Sequence, residues 1–211
     1  MNWENQFRAR WVPRLPSWLE TWHLTYLTLL WSGLIVLCGW QARENLNWLW
    51  LSSLVVVAQY LSDLFDGALG RYRNTGLIKW GYYMDHLLDY LFQSAIITGY
   101  LLIAPEGLTL YFIGMLVLST GFMVSSFLSF AATNRFEIYF LGIGPTEIRV
   151  AIIALNTAII LLGTNWWPVT VPIFFWCLTI GLTAMVWQTQ RQLWQQDMTL
   201  KRTSQSSEEE A

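Results

Sequence analysis

Four aspartates stand close together in a chain that has only 14 acidic residues: Asp63, Asp66, Asp85 and Asp89. They flank apolar runs long enough to cross a bilayer, where a carboxylate is costly and marks a functional site by default. Asp63 and Asp66 lie one helical turn apart, as do Asp85 and Asp89, so each pair shares a helix face. Two neighbouring helix ends would then present four carboxylates to one point. Like charges converging there repel, and the relief that hard oxygen ligands select is Mg²⁺, Mn²⁺ or Ca²⁺. The sequence holds no Cys/His cluster for zinc.

Gly67, Gly70 and Arg71 follow the first pair. Glycine weakens a helix interior, and what it offers in return is close approach of a ligand to the backbone. Gly70 falls two turns beyond Asp63, on the same face. Arg71 supplies a planar fork for phosphate oxygens. Cations, phosphates held against backbone and a spare carboxylate are the components of phosphoryl transfer.

The elements that must position these groups are apolar helices. Hydrophobic residues make up 55% of the chain and charged residues 12%, against about 25% charged in a soluble domain. The spacing of the apolar runs predicts an all-α integral membrane fold. Six transmembrane helices, at about 20 residues each, span residues 22–40, 48–65, 85–103, 108–131, 147–162 and 169–187. A short amphipathic juxtamembrane helix precedes them in residues 1–20, with Trp3, Phe7 and Trp11 one turn apart and Arg8, Arg10 and Arg14 for lipid headgroups. Pro13 and Pro16 end it. Residues 21–190 form the six-span domain. Residues 191–211 are a polar tail whose end, from Ser204, reads as disordered. No signal peptide opens the chain, no repeat divides it, and Cys38 and Cys177 fall in apolar runs without a redox or metal pattern.

With an N-terminus inside the cell, 11 of the 12 basic residues fall on the cytoplasmic side and only Arg43 outside. The positive-inside rule thus favours six spans with both termini and the aspartates at the cytoplasmic edge, in a plasma membrane of bacterial type. A net charge of -2 and the lack of a dense basic cluster give no sign of nucleic-acid binding.

The stretch Asp63-x-x-Asp66-Gly67-x-x-Gly70-Arg71, continued as Gly81-x-x-x-Asp85-x-x-x-Asp89, resembles the signature of the class I CDP-alcohol phosphotransferases, the CDP-alcohol phosphatidyltransferase family. Gly70 stands where that family carries Ala, a mild change because the residue stays small. The resemblance implies that Asp63, Asp66 and Asp85 ligate two Mg²⁺ or Mn²⁺ ions, with Asp89 at or near them and acting as general base on an acceptor hydroxyl. Gly67, Gly70, Arg71 and Gly81 would hold the cytidine diphosphate part. It also implies a homodimer, a phospholipid-synthesising role and release of cytidine monophosphate.

Asp85-His86-x-x-Asp89 and Gly144-Pro145-Thr146-Glu147 look like patterns of the ethanolamine and choline branch. That likeness favours a CDP-amino alcohol donor and diacylglycerol as acceptor, with His86, Glu147 and Arg149 near the acceptor. Equally, Glu147 favours a helix N-terminal dipole and Arg149 anchors to lipid phosphate, while His86 serves structure. Arg135 and Arg149 also suit a phosphorylated acceptor. The alternative chemistry is CDP-diacylglycerol-dependent transfer to glycerol phosphate, inositol (or its phosphate) or serine. A membrane cation transporter is the alternative of another class. It is disfavoured because no acidic residue lies mid-span.

Overall fold

The computed structural model describes residues 2–75, 77–133 and 145–209. Among these residues the fold is entirely helical. Helix α1 (Asn2–Trp11) runs into a 3₁₀ turn (Val12–Arg14), and six longer helices follow: α2 (Thr21–Ala42), α3 (Trp48–Arg73), α4 (Ile78–Leu102), α5 (Thr109–Thr133), α6 (Pro145–Leu162) and α7 (Trp167–Glu209). They fall where the apolar runs predict spans. Four of them, α2, α3, α5 and α7, are long and apolar enough to cross a membrane. Helix α4 carries Lys79, Asp85 and Asp89 in its first half, which lowers its apolar content although it packs with the rest. The outward faces of the helices expose large apolar side chains such as Leu54, Leu110 and Ile180. A lipid-facing surface has this composition.

Helix α2 is the spine. It packs along both α3 and α4, α6 lies on α3, and α5 lies between α4 and α7. The contact between α2 and α4 is backbone to backbone: a Cβ built on Gly39 would sit 2.5 Å from the Gly99 Cα. Small residues permit such approach where lipid supplies no hydrophobic drive. One end of the bundle is closed by Ala42, Leu49, Tyr100, Leu108, Ile159 and Trp167, which bring the α2–α3, α4–α5 and α6–α7 turns together. The other end carries α1, the last turns of α3 and the first turns of α4.

Helix α7 continues without a break through Glu209. Gln, Arg, Leu, Lys, Met and Glu dominate this stretch and have high helix propensity, and neither Gly nor Pro follows Gly181 to stop it. The N-terminal helix is shorter than the 1–20 segment, ending at Trp11 before Pro13. It lies against α3, with Phe7 and Phe65 ring centroids 5.7 Å apart. Val12 is buried with Leu24, Ala68 and Leu69.

Candidate active site

The last three turns of α3 carry Asp63, Asp66, Gly67, Gly70 and Arg71. The helix stops at Asn74, whose φ of 54° puts it in the left-handed region that asparagine tolerates as a C-terminal cap. Its amide and that of Thr75 both turn back to the Gly70 carbonyl. The chain then re-enters α4 at Ile78, so Gly81, Asp85, His86 and Asp89 arise within its first three turns. Because α2 packs on both helices, the two aspartate pairs flank a cleft rather than touching.

Asp63 is the electrostatic centre of that cleft: Asp66, Asp85 and Asp89 all feel its charge, and Asp85 acts on Asp66 and Asp89 as well. The four predicted aspartates thus lie within range of one another's charge without converging on one point. Their partners differ. The Thr25 hydroxyl donates to Asp66 Oδ2 at 2.6 Å. Arg149 donates from Nη2 to Asp63 Oδ2 at 2.8 Å. Asp85 is half-exposed, with the His86 ring at 3.9 Å. Asp89 is exposed and makes no hydrogen bond among the described residues.

An all-oxygen carboxylate set at this density suits a hard divalent cation. Among the described residues, however, no three His, Cys, Asp or Glu side chains converge closely enough to hold an ion as they stand. One oxygen of Asp63 and one of Asp66 are already engaged, by Arg149 and Thr25. Each keeps a second oxygen for a ligand.

Two cavities meet over Gly67 and Arg71. One, of about 440 Å³, is lined by Asp66, Gly67, Gly70, Arg71, Trp80 and Gly81 among others. It gathers every glycine and arginine that the sequence assigns to nucleotide binding. The other, of about 280 Å³, is lined by Arg8, Asp63, Gly67, Arg71, Thr146 and Arg149 among others. A Cβ at Gly67 would meet the Arg71 guanidinium at 3.3 Å, a contact that a small shift of this exposed side chain relieves. At Gly81 a Cβ would meet nothing within 4 Å, so no packing inside the chain demands glycine there.

The acceptor candidates divide. Arg149 lines the smaller cavity. Glu147 is exposed in the first turn of α6 and lines neither cavity, in keeping with a dipole role. The His86 ring packs on Tyr82 (4.3 Å between centroids) and Phe127 (5.4 Å), with Nδ1 2.6 Å from the Tyr82 carbonyl oxygen. It also lines neither cavity. Arg135 and Gly144 lie outside the described residues.

Sequence reasoning missed Thr25, Gln59, Tyr60 and the role of Arg73. The Arg73 guanidinium donates to the carbonyls of Leu15 (3.2 Å), Pro16 (2.8 Å), Ser17 (3.4 Å) and Leu19. It thereby straps the segment after α1 to the end of α3. One signal for Gln59 was available: a polar residue inside an apolar run, one turn before Asp63.

The family model described as CDP-alcohol phosphatidyltransferase matches residues 18–190. No curated protein and no solved structure matches the chain.

Proposed function

Because the chain belongs to the CDP-alcohol phosphatidyltransferase family, a family of membrane-embedded transferases of phospholipid biosynthesis, we propose that it moves a substituted phosphate group from a CDP-alcohol to an acceptor hydroxyl in a divalent-cation-dependent reaction. The observation that carries this reading is that Asp63 and Asp66 each line one of two cavities sharing Gly67 and Arg71, while α4, which bears Asp85 and Asp89, supplies Trp80 and Gly81 to the larger one. A nucleotide-bearing donor and a separate acceptor need two such spaces side by side.

The larger cavity receives the cytidine diphosphate part. Gly67 and Gly70 let phosphates approach the helix backbone, Arg71 pairs with their oxygens, and Trp80 offers a flat apolar surface to the base. Asp89, exposed and without a hydrogen-bond partner among the described residues, takes the proton of the acceptor hydroxyl. The acceptor oxygen bonds to the phosphorus that bears the donor alcohol. The bond from that phosphorus to the bridging oxygen breaks, and cytidine monophosphate leaves with the electron pair. Asp63, Asp66, Asp85 and Asp89 would hold two Mg²⁺ or Mn²⁺ ions. When bound, these supply charge neutralisation for the pyrophosphate.

The transferase family sets the transporter alternative aside. The six-span topology, both termini at the cytoplasmic face of a plasma membrane, and a homodimer complete the proposal. The basic-residue count and the placement of α2–α7 support the topology, and the homodimer follows from the family alone. For substrate, the first reading remains CDP-amino alcohol with diacylglycerol. The second, a CDP-diacylglycerol donor with a phosphorylated or polyol acceptor, gains from one observation. Arg71 lines the smaller cavity, where Arg8 pairs with Glu4 and Arg149 with Asp63, while Glu147 stays outside it.

The test is cytidine monophosphate release by the purified protein with Mg²⁺ and a panel of CDP-ethanolamine, CDP-choline and CDP-diacylglycerol, each with its acceptors. One donor should support release, and EDTA should abolish it. No release with any donor would overturn the reading.

A further inference from the structure

Arg149 reaches from the first turns of α6 to α3 and is held there on three sides. Its Nη2 donates to Asp63 Oδ2 at 2.8 Å and its Nε to Gln59 Oε1 at 3.1 Å. Its Cζ lies 5.2 Å from the centroid of the Tyr60 ring. Gln59 is 1% exposed, so its amide has little freedom to turn. Tyr60 is fixed in turn by donating its hydroxyl to Glu4 Oε1 at 2.6 Å. Gln59 and Asp63 are one helical turn apart, so a single planar guanidinium can bond both. The Arg149 side chain is 15% exposed and Asp63 34%.

A carboxylate at a helix end, beside three others, has no reason to keep one orientation. Repulsion from its neighbours favours turning away, and rotation about its terminal bond is broad. The Arg149 contact removes that freedom. It ties up Oδ2 and counters the repulsion at the residue whose charge all three other aspartates feel.

We propose that Arg149 is a positioning residue for Asp63: Gln59 and Tyr60 hold its guanidinium so that one carboxylate oxygen is fixed and the other stays directed to the cation-binding cleft. This rests on the proposed cation site. It differs from a role in gripping an acceptor phosphate, because a positioning role acts on cation binding before any substrate is present. Partners of this kind, behind a ligating carboxylate, commonly change metal affinity by about 10–100-fold when mutated.

The test is Mn²⁺ binding to the full-length, detergent-purified protein without substrates, followed by the electron paramagnetic resonance signal of free Mn²⁺. Arg149→Lys keeps the charge but loses the planar fork, so any loss reports geometry. Its Mn²⁺ affinity should fall about tenfold, with an unchanged melting temperature and unchanged acceptor KM. Gln59→Met, which touches neither cation nor substrate, should shift affinity in the same direction by less. Wild-type Mn²⁺ affinity in Arg149→Lys would overturn the proposal; a raised acceptor KM in that variant would assign Arg149 to the acceptor instead. If Arg149→Lys does not fold, Gln59→Met decides, and wild-type affinity there overturns it. Absence of Mn²⁺ binding by the wild-type protein would remove the cation site itself, and this proposal with it.

Discussion

The two ends of the bundle treat buried polarity in opposite ways. At the end where the turns gather, Asn156 is fully buried and fully paired. Its Oδ1 accepts from the Tyr100 hydroxyl at 2.8 Å, and its Nδ2 lies 3.0 Å from Ser53 Oγ and 3.4 Å from the Leu49 carbonyl. At the aspartate end, Asp63 and Asp66 each have one oxygen engaged, and Asp89 accepts no hydrogen bond among the described residues. A satisfied network locks three helices together. An incompletely satisfied one in a cleft stores demand for a ligand. Stability and chemistry are thus concentrated at different ends of the same helices, α3 and α4.

The sharpest way to break this comparison is Asp89→Asn. Removing the proton acceptor should lower cytidine monophosphate release by about 10²–10⁴-fold. Removing one of four like charges should leave the melting temperature unchanged or raised. A lower melting temperature with retained release would erase the distinction between the ends.

Gly39→Leu probes the opposite property, in the packed body of the bundle. The added side chain meets the Gly99 backbone, which cannot move aside, and overpacking of this kind costs about 1–3 kcal/mol or more. Thermal unfolding in detergent should register the loss, and release per folded molecule should persist if only packing is hurt.

Asn156→Leu is the milder test of the turn end. Stranding the Tyr100 hydroxyl and its neighbours should cost about 1–3 kcal/mol, with Mn²⁺ affinity unaltered. A changed Mn²⁺ affinity would mean that the ends are coupled along α3. The smallest effect is expected from Arg73→Met, which releases four carbonyls at the partly exposed junction after α1. Faster amide hydrogen exchange should appear in residues 12–19, with the global melting temperature nearly unchanged.

Much of this division was legible in the chain. The Asp, Gly and Arg spacing of residues 63–89 placed the cleft on two helix ends, and the apolar runs marked all six long helices, because both signals are local and periodic. Propensity is equally local at the C-terminus, where unbroken helix formers continue α7. The partners of the aspartates were not legible. Arg149 lies 86 positions from Asp63, and Thr25 lies 41 positions from Asp66. No periodicity links residues so far apart.

The sequence by itself determined which groups carry chemistry and which helices carry the groups, since both follow from residue type at helical spacing. Tertiary structure alone decided what each aspartate faces. Helix α2 holds α3 and α4 apart, α6 delivers Arg149 rather than Glu147 to the cleft, and α1 closes over Tyr60. Those choices depend on how side chains from distant segments pack and share hydrogen bonds, which a linear pattern does not encode.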